Sequence, residues 1–236
     1  MIQNYKIVTP FGRTRFDIIG KECYLYIHPE AKYVLIQPVD EHDLDMLDKE
    51  VELIHKLSDK LFTLAAFRVN DWNSELSPWS APPVFGKTPF GEGAEETVDY
   101  ITVQMIPMLQ QKGIDTPHYL LGGYSLAGLF SLWASYRTDR FDGIAAVSPS
   151  VWFPRWLDFA QATHPQVRSI YLSLGDKEEK AKNPVMAQVG NAIRKQEEIL
   201  RKQKLNTILE WNAGNHFADS EERMAKGFAW LMNQKT

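Results

Sequence analysis

A serine in a glycine-rich turn is the residue of this sequence best placed to act as a nucleophile. Ser125 follows a short apolar run that ends in two glycines, and apolar residues at helical spacing come after it. This pattern predicts a sharp turn from a strand into a helix, with the serine at its apex. The residues two positions before and after the serine must be small, and Gly123 and Ala127 meet that need. The pattern is typical of a nucleophile elbow. A serine at an ordinary helix N-cap is the alternative.

A histidine after the last predicted strand is the candidate base. A serine hydroxyl becomes a good nucleophile when a neighbouring base takes its proton and a carboxylate orients that base. Of the six histidines, His216 directly follows the last predicted strand and precedes the closing helix. The carboxyl ends of parallel strands meet at one edge of a sheet, where the elbow serine also lies. We therefore expect His216 to act as the base, with a loop histidine bound only to backbone as the alternative.

Three carboxylates compete for the role of the acid that orients this histidine. They lie in Leu174-Gly175-Asp176-Lys177-Glu178-Glu179, directly after another predicted strand. Glu178 is favoured because three residues beyond the glycine give the loop room to turn towards the histidine. Asp176, which is shorter and one step past the glycine, is the alternative, and Glu179 is expected to be solvated. The order along the chain is then nucleophile, acid and base, which is the order of one fold among the unrelated folds that carry such triads.

An acyl-transfer site also needs two N–H donors for the charge that develops on the substrate carbonyl. Leu126, directly after the serine, is expected to supply one of them. The second should come from the loop after the predicted strand 33–36. Pro38 has no N–H, so Val39 or Asp40 is the candidate.

Aromatic residues around the elbow are candidates for a substrate pocket. A long irregular stretch, residues 68–93, is rich in tryptophan and proline, and loops of that length in a compact domain are usually functional or disordered. Its composition argues against disorder, so we expect a wall or lid over Ser125. The candidate substrate contacts are Tyr124, Trp152, Trp79 and Trp72. The alternative is that these tryptophans only pin the loop to the core.

The remaining pattern predicts the elements that position these residues. Strands alternate with helices, which indicates an α/β fold with a mainly parallel central sheet and helices on both faces. One domain over residues 1–236 is expected. The predicted strands are 5–8, 23–27, 33–36, 62–67, 119–121, 141–149, 169–175 and 207–211, and the predicted helices are 40–60, 94–111, the helix after Ser125, 185–204 and 219–233.

Composition and charge exclude several classes of protein. The chain has 236 residues, of which 44% are hydrophobic and 24% charged, with a net charge of −4. That balance leaves no basic stripe, so nucleic acid is not an expected partner. Cys23 is the single cysteine, so no intrachain disulfide is possible. The start of the chain lacks the pattern of a signal peptide, and no stretch is apolar enough for a membrane span. A soluble cytoplasmic protein is expected.

An acidic run at residues 40–45 invites a metal-site interpretation. It has no glycine where a calcium loop needs its sharp turn, and it leads directly into a helix with apolar periodicity. Negative charge at a helix N-terminus is favourable because of the helix dipole. We therefore interpret the run as a helix start and expect no metal site there.

Several segments together resemble the putative-esterase family of the α/β-hydrolase superfamily. That family includes siderophore esterases, S-formylglutathione hydrolases and feruloyl or acetylxylan esterases. Two departures are the alanine at position 127 of the elbow and the unusual sequence of residues 37–40. The segments that carry the resemblance are Ser77-Pro78-Trp79, residues 90–95, Ile106-Pro107, the Ser125 elbow, residues 148–153, residues 175–179 and Gly214-Asn215-His216.

The resemblance implies an α/β-hydrolase fold and hydrolysis of a small-molecule ester or thioester through an acyl-enzyme. It implies no metal or organic cofactor. Acyl transfer to an alcohol or thiol by the same residues is an alternative, and a binding protein on a hydrolase scaffold is another. The sequence leaves the substrate and the oligomeric state open.

Overall fold

A central sheet of eight strands organises the computed structural model, which describes residues 12–84 and 86–234. The strand order is β1-β2-β4-β3-β5-β6-β7-β8. Strands β3 to β8 pair with one another in parallel, whereas β2 is antiparallel to both β1 and β4. The strands are β1 (Arg13–Ile18), β2 (Lys21–Tyr26), β3 (Tyr33–Val39), β4 (Phe62–Arg68), β5 (His118–Tyr124), β6 (Gly143–Val147), β7 (Ser169–Gly175) and β8 (Asn206–Asn212).

Helices cover both faces of the sheet, which confirms the predicted α/β class. Helices α1 and α8 enclose one apolar core, and most of the others pack against the opposite face. The helices are α1 (Glu41–Leu57), α2 (Trp72–Glu75), α3 (Ala94–Asp99), α4 (Ile106–Gln111), α5 (Leu126–Ala134), α6 (Trp156–Ala162), α7 (Val189–Lys202) and α8 (Ser220–Met232).

The central strands are buried on both sides, as parallel strands between two helical layers must be. Every residue of β3, β6 and β7 is buried, and β5 is buried after its first residue. Their sequences are near-continuous apolar runs, which is why hydrophobicity predicts these strands. The edge strand β1 instead alternates exposed and half-buried residues. Because its sequence, Arg-Thr-Arg-Phe-Asp-Ile, is largely charged, no strand was predicted there.

Other differences from the predicted elements concern interruptions and short segments. The predicted strand 5–8 lies outside the described residues. The predicted helix 94–111 contains a π-helical segment, Tyr100–Met105, between α3 and α4. Helix α6 was not predicted; the residue before it, Arg155, adopts a left-handed conformation with φ of 65°. Helix α7 is preceded by a short 3-10 turn, Met186–Gln188.

The segment between β4 and α3 is more ordered than its length suggests. It contains the short helix α2, which Asp71 caps by accepting the Ser74 N–H. Ala81 and Phe90 form an isolated antiparallel bridge. The backbone N–H groups of Gly91 and Gly93 also donate to carbonyls of α2, so these contacts hold the described parts of the segment, 69–84 and 86–93, together.

Candidate active site

The sharp turn after β5 holds Ser125 at the edge of the sheet. Ser125 adopts φ of 58° and ψ of −119°, an unusual conformation for a residue with a side chain, and α5 begins at the next residue. A Cβ on Gly123 would overlap the backbone carbonyl of Ala127, so the close approach requires glycine at the first site. Gly128 is equally confined, since a Cβ there would lie 2.9 Å from the Gly123 oxygen and 3.0 Å from the Val147 oxygen.

His216 bridges the serine and an acid. It lies in the loop between β8 and α8, and its Nε2 is 3.0 Å from the Oγ of Ser125. Its Nδ1 is 2.7 Å from the Oε2 of Glu178. An ionised carboxylate can only accept, so Nδ1 donates to Glu178 and Nε2 is left to accept the serine proton. The arrangement is that of a nucleophile, a base and an orienting acid.

Glu178 lies directly after β7 and is 6% exposed. Its Oε1 accepts the Gly175 N–H at 2.7 Å and the Ser148 hydroxyl at 2.7 Å. Burial alone would raise the pKa of Glu178, but the hydrogen bonds from His216, Ser148 and Gly175 favour the ionised form and lower the pKa below its usual value. The carboxylate is therefore charged at neutral pH and able to hold the histidine.

Asp176, the alternative acid, has a different position. It is exposed, and its Oδ1 accepts the Gly214 N–H at 2.9 Å. The backbone N–H of Lys177 donates to the Gly214 carbonyl at 3.0 Å. These bonds tie the loop after β7 to the loop that carries His216. Asp176 thus supports the histidine loop from outside, while Glu178 contacts the imidazole.

Arg223 is a component of the site that the sequence analysis missed. It lies on α8 and is 1% exposed. Its guanidinium contacts the Glu178 carboxylate at 3.1 Å and donates to the Ser148 hydroxyl at 3.3 Å. It also donates to the Tyr124 hydroxyl at 3.1 Å, and that hydroxyl donates to the carbonyl of His216 at 2.9 Å. The signal in the sequence was an arginine on the otherwise apolar face of the closing helix.

The predicted oxyanion donors lie at the ends of two neighbouring strands. Leu126 begins α5, where the N–H groups of the first turn have no acceptor within the helix. Asp40 caps α1, and its N–H donates to the side chain of Asp43 at 3.3 Å. This hydrogen bond argues against the Asp40 N–H as an oxyanion donor. Val39 ends β3 in register with β4, and its carbonyl accepts the Val69 N–H at 3.0 Å. The second donor stays a prediction.

A cavity of about 790 Å³ opens onto Ser125 and His216. Its wall includes Trp72 and Trp152, two of the predicted substrate contacts. A smaller cavity of about 170 Å³ shares Trp72, Ser125, His216 and Phe217 with the large one and is also lined by Tyr124. The large cavity is lined by Trp72, Asn73, Phe90, Ser125, Leu126, Ser148, Ser150, Trp152, Lys177, Glu178, Lys180, Ala181, Lys182, Met186, Val189, Asn215, His216 and Phe217.

Trp79, the fourth predicted contact, is not among these lining residues. Its Nε1 donates to the Pro154 carbonyl at 2.9 Å, and its ring packs against Phe153 and Phe159. It therefore anchors the 69–93 segment to α6 and the loop before it. This is the alternative role considered for the tryptophans, in which they only pin the loop to the core. Phe217 was not predicted, yet it lines both cavities and is 86% exposed.

Within 12–84 and 86–234, no group of three or more histidine, cysteine or acidic side chains could hold a metal ion. In the same ranges, none of the helices combines the length and apolarity that crossing a membrane would require.

The sequence model of the family described as putative esterase matches residues 66–230, which is more than half of the chain. The chain belongs to the putative-esterase family. Membership makes the protein a carboxylic ester hydrolase of the α/β-hydrolase superfamily, and it confirms the resemblance carried by the elbow and the histidine segment. The match spans Ser125, Glu178, His216 and Arg223. No curated protein matches the chain significantly.

Solved structures of other esterases share the fold of this family member. An IroE-like serine hydrolase from Shewanella oneidensis has a TM-score of 0.75 at 16% identity, covering 93% of this chain and 79% of its own. The siderophore hydrolase EstB from Aspergillus nidulans has a TM-score of 0.70 at 16% identity, covering 97% and 96%. The enterobactin and salmochelin hydrolase IroE has a TM-score of 0.67 at 18% identity, covering 95% of each chain.

Proposed function

We propose that this esterase cleaves a small-molecule ester through a covalent acyl-enzyme formed on Ser125. The observation that carries the proposal is the pair of hydrogen bonds through His216, 3.0 Å to the Ser125 Oγ and 2.7 Å to Glu178. These distances are within the reach that proton transfer to a base requires. The strained turn keeps the serine hydroxyl exposed to the cavity while its backbone is held rigidly.

In the first half of the reaction, the Ser125 oxygen attacks the ester carbonyl as His216 takes its proton. The tetrahedral intermediate collapses when His216 gives that proton to the leaving alcohol, and the carbon–oxygen bond of the substrate breaks. In the second half, His216 takes a proton from water as the water oxygen attacks the acyl carbon. The bond from that carbon to the Ser125 oxygen then breaks as His216 returns the proton to this oxygen, which releases the carboxylic acid and restores the free enzyme. Glu178 stabilises the imidazolium in both halves and is not itself protonated.

The start of α5 supports stabilisation of the oxyanion. The Leu126 N–H follows the nucleophile directly, and the helix dipole places partial positive charge at the same point. In this fold the second donor comes from the loop after β3, where we place it at Val39 or Asp40.

The cavity supports a substrate of moderate size with an apolar portion. Trp72, Trp152 and Phe217 provide aromatic surface beside the nucleophile. Two of the structural neighbours are named as hydrolases of siderophores such as enterobactin. Those names support an ester bond as the target here, and the chemistry of this cavity leaves room for other esters of similar size.

An acceptor-partition experiment tests the acyl-enzyme directly. Purified protein is given a set of esters that share one acyl group but carry different alcohols, together with a fixed concentration of an added alcohol acceptor. A shared acyl-enzyme predicts the same ratio of transesterified product to free acid for every leaving alcohol. A ratio that changes with the leaving alcohol contradicts the proposal. Transfer that far exceeds hydrolysis would identify the protein as an acyltransferase using the same residues.

Ser125→Ala is the control for that experiment, and it should abolish both products. A protein with the hydrolase fold and no catalysis would instead bind esters without turnover in either form. The hydrogen-bonded geometry of Ser125, His216 and Glu178 favours the catalytic outcome.

A further inference from the structure

One side of the large cavity is positively charged. Lys177, Lys180 and Lys182 all line it and are all exposed at its mouth. They come from the segment that follows β7, within six residues of each other along the chain. The acid among the lining residues is Glu178, whose charge is already shared with His216 and the guanidinium of Arg223.

Neighbouring acids do not neutralise these lysines. The side chain of Glu179 turns instead towards Arg194 on α7, at 2.9 Å. Within the parts of the chain that the structure describes, none of the three lysines has a carboxylate at ion-pair distance. The positive charge of this cluster contrasts with the net charge of −4 of the whole chain.

The small cavity beside Ser125 has the opposite charge. Its lining includes Asp40 and Asp43, together with His42. A substrate group in the large cavity therefore meets lysines, whereas one in the small cavity meets carboxylates. This asymmetry favours one orientation for a substrate with a single acidic group.

We propose that the substrate ester carries an anionic group on the portion that fills the large cavity, next to an apolar body. The apolar body would pack on Trp152, Met186, Val189 and Phe217, and the anionic group would lie near Lys177, Lys180 and Lys182. The inference rests on the proposed ester hydrolysis at Ser125 and adds the charge of the substrate to it. Lysines at the mouth of a low-dielectric cleft both attract such a molecule and orient it.

The test compares isosteric esters that differ in charge. On the alcohol side the pair is para-acetoxybenzoate and para-acetoxybenzamide. On the acyl side it is monomethyl terephthalate and methyl 4-carbamoylbenzoate. The para carboxylate cannot reach its own ester, so intramolecular hydrolysis does not interfere. The kcat/KM of each ester is measured for the wild type and for the triple variant Lys177→Gln, Lys180→Gln, Lys182→Gln.

A matched control removes the same charge from the opposite edge of the sheet. Lys32, Lys56 and Lys60 are exposed and lie near the amino ends of β3 and β4 or at the end of α1. Their triple glutamine variant has the same net charge as the test variant. A difference between the two variants therefore reports where the lysines are, not the total charge of the protein.

The expected result is a preference of the wild type for the anionic member of at least one pair. An exposed ion pair typically changes binding about two- to fivefold, so the loss of three lysines should lower the anionic-to-neutral ratio about tenfold. The control variant should keep the wild-type ratio. Raising the ionic strength to about 0.5 M should reduce the preference of the wild type, because screening acts on exposed charges.

Two different failures can be told apart. An unchanged ratio in the test variant, with the neutral esters still hydrolysed, would overturn the substrate-charge inference and leave ester hydrolysis standing. If the folded wild type hydrolysed none of the esters and a fluorophosphonate failed to label Ser125, the proposed function would be overturned, and the substrate-charge inference with it.

Discussion

The guanidinium of Arg223 lies 3.1 Å from Oε1 of Glu178, while His216 contacts the other oxygen, Oε2, at 2.7 Å. Each carboxylate oxygen thus has its own charged or polar partner. The same guanidinium donates to the carbonyls of Ala213 and Asn215, both at 3.0 Å. One buried side chain therefore holds both the acid and the loop that carries the base.

We expect Arg223→Lys to lower kcat about 100-fold with little change in KM. A lysine keeps the charge but cannot span the carboxylate and both carbonyls as the guanidinium does, and small displacements of a catalytic group have effects of that size. Steady-state kinetics on a neutral ester provides the measurement. Arg194→Lys, at an exposed ion pair with Glu179, is the matched control. A variant with kcat within twofold of the wild type would show that Arg223 does not position the triad.

Glu178 and Asp176 should respond very differently to amidation. Glu178→Gln should lower kcat by about 10³- to 10⁴-fold, because an amide no longer selects the productive tautomer of His216. Asp176→Asn keeps an oxygen that can accept the Gly214 N–H, so its loss should be about tenfold at most. The kcat values of the two folded variants show whether Glu178 or Asp176 is the acid that orients His216. Equal losses, or a larger loss in Asp176→Asn, would transfer the role of the acid to Asp176.

The elbow predicts that the usual preference of a helix for alanine over glycine is reversed at Gly128 but not at its neighbour Ala127. Alanine normally stabilises a helix relative to glycine by about 1 kcal/mol. Gly128→Ala should instead lower the free energy of unfolding by about 1–3 kcal/mol, because the added methyl group meets the Gly123 and Val147 carbonyls. Ala127→Gly should cost only about 1 kcal/mol and keep activity. Chemical denaturation measures both, and a stabilised Gly128→Ala would contradict the packing described for the turn.

Glu50 predicts a pH-dependent change in stability away from the site. Burial raises its pKa well above the usual value, opposed by the hydrogen bond that Gln37 donates to Oε2 at 3.3 Å. An acid with a raised folded-state pKa contributes stability below its unfolded pKa, near 4.5, and loses that contribution as the pH rises through the folded pKa.

Glu50→Gln removes this titration. The stability of the variant relative to the wild type should therefore increase as the pH is raised from 4 towards 8, by up to about 1.4 kcal/mol for each pH unit over which the two states differ by one proton. Urea denaturation across that range measures the change. A stability difference that does not vary with pH would show that Glu50 ionises in the folded protein as it does in the unfolded one.

The sequence was most informative where function depends on local pattern. The elbow requires small residues at fixed offsets from Ser125, and His216 and Glu178 each follow a buried apolar strand, so all three could be placed at one edge of the sheet. The structure brings them within hydrogen-bond distance. The family match confirms the esterase assignment, and the eight-stranded sheet confirms the fold class.

What the sequence did not reveal depends on contacts between distant residues. Arg223 is 45 positions from Glu178 in the chain, and nothing next to it marks it as a partner of that acid. Trp79 and Trp152 have similar surroundings in sequence, yet one is bound to the Pro154 carbonyl and the other lines the cavity. Strand β1 was hidden because an edge strand carries charged residues on its exposed face.

An activated nucleophile at Ser125 is the central claim, and covalent labelling tests it most directly. Purified wild-type protein and Ser125→Ala are treated with a fluorophosphonate, and the mass of the intact protein is measured. We predict that the wild type gains one phosphonyl group and that Ser125→Ala, folded to the same extent by circular dichroism, gains none. Equal labelling of the two proteins, or no labelling of the folded wild type, would contradict the account.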